Sequence, residues 1–127
     1  MNTVFVPGPG KDGFHVSIFL DVDKNVLVAF GVRIDHLPMP PPIAWKLARE
    51  ILDKCQQADP DSRLQVRDSR VSVQVYDRRV LLETRLPVSE LVLTPSQGRE
   101  LVFRLCLFAA RAVGRDLPED FPLERSL

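Results

Sequence analysis

Metal-binding and redox side chains are scarce in this chain, which has two histidines, His15 and His36, and two cysteines, Cys55 and Cys106, with no two of the four close together. Zinc sites draw on clustered ligands, and that spacing is absent. Each cysteine falls within a helix-periodic segment, where a free thiol behaves as a small buried hydrophobe, so the pair reads as two thiols rather than a disulfide. No apolar run approaches the roughly 20 residues of a membrane span. The first residues lack the basic start, apolar stretch and cleavage site of a secretory signal, which predicts a soluble cytoplasmic protein. Net charge is missing too, with 17 basic side chains against 17 acidic, and lysine does not recur after Lys54.

What is present suits one ordinary domain. A chain of 127 residues can bury roughly two-thirds of its unfolded surface. The balanced charge is unevenly spread. Residues 63–115 carry ten arginines against Asp68, Asp77, Glu83, Glu90 and Glu100, while residues 1–62 and the end beyond Arg115 are mildly acidic.

Val16, Ile18, Leu20 and Val22 alternate with Ser17, Phe19 and Asp21, the signature of a half-buried strand. Asp23-Lys24-Asn25 supplies turn chemistry, and alternation resumes over 26–34, so the two segments predict a hairpin. Pro38, Pro40, Pro41 and Pro42 follow; they lack backbone donors but suit the first turn of a helix, which is expected to start near Pro41. Ala44, Leu47, Ala48, Ile51 and Cys55 keep helical spacing on its buried face. A polar stretch, 56–62, carries Pro60 and reads as a linker centred on 58–62. The order then repeats. Val71, Val73 and Val75 alternate with polar neighbours, Asp77-Arg78-Arg79 turns, and 80–86 returns, with a further short strand at 90–93. Thr94, Pro95 and Gln97 form a capping-box start for a second helix, expected to end at Gly114.

Displacing the chain against itself by 54 residues aligns Asp23 with Asp77, Val26 with Val80, Leu37 with Leu91, Pro41 with Pro95 and Leu47 with Leu101. Short strands at 4–6 and 64–66 complete a meander in each half. The expected fold is α+β: a tandem duplication of a β-meander plus one helix, βββ(β)α twice. Its antiparallel sheet would carry both helices, related by a pseudo-two-fold axis. Repeats at about 1–57 and 63–114 would share one core, leaving an acidic and apolar extended tail at 115–127.

Chemistry-bearing motifs are few. Gly8-Pro9-Gly10-Lys11 lacks phosphate-loop spacing and reads as a loop. Asp21 and Asp23 could hold a cation, but aspartate at a strand end serves the backbone turn first. No nucleophile stands in a recognisable context with a base, so the sequence predicts no enzyme, no metal and no cofactor.

Partner binding is the remaining class. Leu101, Val102, Leu105, Phe108, Ala109 and Ala112 form the core stripe of the second helix, while Phe103, Leu107 and Ala110 form another on a different flank. Polar coverage is narrow, with Arg104, Arg111 and Arg115 remaining beside Gln97 and Glu100. Trp45 and Leu52 sit a heptad apart on the flank of the first helix. These five residues, Phe103, Leu107, Ala110, Trp45 and Leu52, are the candidates for a protein interface or homodimer.

The strands offer a second surface. Arg70, Gln74, Tyr76, Arg78 and Arg79 in the second half, with Phe19 in the first, combine cations with stacking groups. Strands followed by one helix, given twice, resemble in layout the Whirly and PUR-repeat single-stranded nucleic-acid-binding proteins, and that resemblance implies nucleic acid as an alternative partner. The leading expectation is a non-catalytic interaction module that binds a protein or itself through the spare helix flank and an exposed sheet face or edge.

Overall fold

The computed structural model describes residues 2–7, 13–63 and 71–116. The Gly8-Pro9-Gly10-Lys11 stretch, the strand expected at 64–66, Arg70 and residues 117–127 lie outside them.

Hairpin chemistry sets the local plan. Asp21 accepts hydrogen bonds from the backbone N–H groups of Asn25 (2.8 Å) and Asp23 (2.9 Å), and Lys24 takes a positive φ of 62°. The Asn25 bond is the largest cause of an Asp21 pKa held below the usual carboxylate range. The turn therefore begins at Asp21, earlier than the alternation suggests. Val22, expected on the buried face, is 97% exposed. The flanking strands are β2 (Gly13–Leu20) and β3 (Val26–Met39), and β1 (Asn2–Pro7) pairs antiparallel with β2.

The second hairpin joins β4 (Val71–Tyr76) to β5 (Arg79–Leu93) through Asp77 and Arg78, both at positive φ. Two residues of that hand match the twist of the paired strands. β5 is one strand where the sequence suggests two, and β3 continues through Pro38 to Met39 where it suggests a loop. The cause is shared. β2 covers β3 only as far as Ala29, and β4 covers β5 only as far as Thr84. Pro38 and Pro87 thus lie in half-strands with one described strand neighbour, where a missing N–H costs little.

The result is an α+β structure, a five-stranded antiparallel sheet in the order β1-β2-β3-β5-β4 with two helices. Its centre is the β3–β5 ribbon, which runs from Val26↔Leu93 to Met39↔Val80, with irregular register around the Ile34↔Val88 pair.

Both helices start as the sequence predicts. α1 (Pro41–Ala58) has proline in its first turn, and α2 (Pro95–Ala112) has a full capping box, with Thr94 Oγ1 accepting from Gln97 N–H while the Gln97 side chain accepts from Thr94 N–H. α1 continues through Gln56 and Gln57, which narrows the linker, and Asp59 N–H closes it on the Cys55 carbonyl. Glycine lets the helices meet: a Cβ on Gly98, near the start of α2, would stand 2.5 Å from Cys55 Sγ, near the end of α1. The core lies between this helix pair and one face of the sheet, where Val16, Ile18, Val26, Val28, Phe30, Leu47, Ile51 and Leu105 are closed from solvent. Cys55 and Cys106 are buried free thiols, each with its pKa pushed up to about 12 by desolvation.

Candidate functional site

The spare flank of α2 is partly consumed inside the chain. Ala110 is buried, as are Trp45 and Leu52 on α1, so three of the five interface candidates are closed off within this chain, while Phe103 and Leu107 are half-buried. Glu100, expected on the polar arc, is also buried. The start of β4 lies over that flank: Arg104 donates to the Val71 carbonyl (3.0 Å) and to Glu100 Oε1 (2.6 Å), while Glu100 Oε2 has no partner among the described residues.

On the face turned from the helices, the candidate nucleic-acid residues separate. Tyr76, Arg78 and Arg79 cluster at the tip of the β4–β5 hairpin, with Tyr76 69% exposed. Gln74 stands on the same strand but donates to Glu83. Phe19 belongs elsewhere, half-buried in a cross-strand row with Leu27 and Val92 at the far end of β5. Beside Glu83 lies His36, whose Nδ1 is 2.7 Å from Asp35 Oδ1 and whose Nε2 is 3.8 Å from Glu83 Oε2. Carboxylates therefore interrupt the basic surface.

The hydrogen bond to Asp35 is the main cause of a His36 pKa raised above its ordinary 6.5, and the Asp35 and Glu83 charges add to it. A raised folded value means that this contact stabilises the protein below the unfolded-state pKa and is lost as pH rises through the folded one. Replacing Asp35 by Asn is expected to lower the His36 midpoint in an NMR titration. An unchanged midpoint would contradict the contact.

Among the described residues, no three metal-ligating side chains converge, and no helix is long and apolar enough to cross a membrane. A concavity beside β5 has a different character. About 610 Å³ in volume, it is lined by Val71 and by the β5 run Thr84, Arg85, Leu86, Val88, Glu90, Leu91, Val92 and Leu93. This is the stretch of β5 that has left β4, so among the described residues its outer backbone edge has no strand partner. Leu86 is 73% exposed on it. Among the described residues, the groove combines ladder groups without a strand partner and apolar side chains.

The chain matches no family model, no curated protein and no solved structure. The likeness to Whirly and PUR-repeat proteins accordingly rests on element order alone, and function must be read from the groove and the surfaces around it. The pairing that creates the groove is invisible in the residue pattern. Its one sequence signal is the 54-residue offset, which places Thr84 where the first half has Phe30.

Proposed function

We propose that the protein is a non-catalytic interaction module, built as a duplicated βββα unit, that adds an extended segment of a partner protein to the edge of β5 that has no strand partner among the described residues. The observation that carries this reading is the largely apolar groove along the outer side of β5, where among the described residues no strand pairs with it beyond Thr84. Strand addition takes affinity from main-chain hydrogen bonds and specificity from pockets for alternate side chains. The edge between 85 and 93 carries no lysine and presents Leu86, Val88 and Val92 for apolar pockets, while Arg85, Pro87 and Glu90 blunt it in part.

The duplication supports the reading because it gives the groove an origin. Under the 54-residue offset the central register maps onto itself: Val26↔Leu93 becomes Val80↔Met39, Val28↔Leu91 becomes Leu82↔Leu37, and Ile34↔Val88 is its own image. α1 and α2 each have 18 residues, beginning at Pro41 and Pro95. In the first unit Phe30 is buried in the core, whereas its counterpart Thr84 lines the groove and donates its hydroxyl to the Leu86 carbonyl (2.9 Å). The exchange of a phenyl ring for a hydroxyl leaves room along the second edge.

The test uses a library of peptides about ten residues long, up to two ordinary strand lengths, with alternating apolar side chains. The wild-type protein is expected to enrich a subset. Val92→Lys, a surface change that blunts the edge, and Thr84→Phe, which refills the groove, are each expected to weaken binding at least about tenfold, or 1.4 kcal/mol. Equal binding by folded Val92→Lys protein would sink the proposal.

A second reading, binding of single-stranded nucleic acid, is favoured by one observation. Arg78 is held at φ 60° where glycine would be relaxed, beside exposed Tyr76 and Arg79. A labelled oligonucleotide titrated across a salt series separates the readings, since phosphate contacts produce a steep salt slope.

A further inference from the structure

A second concavity, about 340 Å³ in volume, is lined by Pro41, Pro42, Trp45, Val113 and Arg115. It joins the first turn of α1 to the segment leaving α2. Trp45 is only 5% exposed, and its indole N–H has no acceptor among the described residues. A buried donor without an acceptor is costly, so a group that supplies one is favoured there.

We propose that this cleft binds the acidic, proline-containing sequence at residues 117–127 of this same chain. Three observations identify that occupant. The described residues end at Asp116, next to Arg115 on the cleft wall, and residues 117–127 are joined to the chain at that point. The chemistry matches: Pro118, Phe121 and Pro122 suit a proline- and tryptophan-lined cleft, and extended proline segments leave backbone carbonyls free for an indole donor. Glu119 and Asp120 complement Arg115 and the exposed Lys46 and Arg49 on the outer stripe of α1.

The third observation rests on the duplication proposed above. Where the chain leaves α1, it turns back onto the first turns of α2, and Arg99 Nε donates to Ser62 Oγ at 2.6 Å. The 54-residue offset carries Trp45 to Arg99, and Ser62 to Asp116. The segment leaving α2 thus meets α1 at the position equivalent to a contact already made in the first unit.

Trp45 is the chain's single tryptophan, so its emission reports the cleft alone. In the full chain, Phe121→Asp is expected to shift that emission to longer wavelength and to increase its quenching by acrylamide, with far-UV circular dichroism retained. A free peptide of residues 117–127 added to the variant should reverse both changes. The Pro118→Gly/Pro122→Gly chain, a milder lesion, should move emission in the same direction. Unchanged emission and quenching in both variants would overturn the proposal. So would conversion of a dimer to a monomer by Phe121→Asp, which would assign the occupant to a second copy. Neither failure touches the β5 groove, whose readout is peptide binding.

Discussion

Phe30→Ala is expected to destabilise the protein by about 3–5 kcal/mol, the range for removing a buried aromatic ring. Phe30 is 1% exposed within the core formed by the sheet and the helix pair. Alanine would leave a cavity beneath β3, and the surrounding strands, tied through the β3–β5 ribbon, can close on it only in part. The readout is the denaturant midpoint at constant slope. The magnitude bears on function as well as stability. If Phe30 fills the space that Thr84 leaves open in the second half, its loss should be costly while Thr84→Phe is tolerated. A loss below about 1 kcal/mol for Phe30→Ala would mean that the two halves do not differ there as the groove requires.

Arg104→Met is expected to cost about 3 kcal/mol, the lower end of the range for breaking a buried ion pair. The lower end applies because the Arg104 side chain is 30% exposed, whereas that of Glu100 is 7% exposed. Arginine holds two elements at once: it pairs with Glu100 one turn earlier on α2 and donates to the Val71 carbonyl where β4 begins. Methionine keeps much of the volume but strands a buried carboxylate and a carbonyl. The Glu100→Leu/Arg104→Met double variant should recover most of the loss, because an apolar pair can replace a buried ion pair at little cost. Thermal unfolding of the two singles and the double measures the coupling. Additive losses would show that the pair contributes nothing specific.

These two sites mark where the sequence can be read and where it cannot. Helix starts are legible because their chemistry is local: Thr94, Pro95 and Gln97 make a complete cap among near neighbours, and Pro41 can begin a helix wherever the rest of the chain lies. The buried stripe of Ala44, Leu47, Ala48, Ile51 and Cys55 follows from spacing alone. Glu100 reads as solvent-facing because helical spacing says which residues share a flank, but not that a strand from earlier in the chain lies across it. The same gap affects Trp45, Leu52 and Ala110, whose periodicity marks a buried face without naming what buries it. Pro38 and Pro87 argue for strand ends, and only the pairing shows that each half-strand has a free side among the described residues. An open edge is a property of which strands meet, and no local pattern encodes it.

The groove reading is tested most directly by amide hydrogen exchange on the protein bound to the tightest peptide from the alternating library. Strand addition predicts new protection along β5 between residues 85 and 93, where β4 no longer covers it, with the Tyr76–Arg79 hairpin unchanged. Protection confined to the hairpin or to the Phe103 and Leu107 flank of α2, with the β5 edge exchanging as in the free protein, would contradict it.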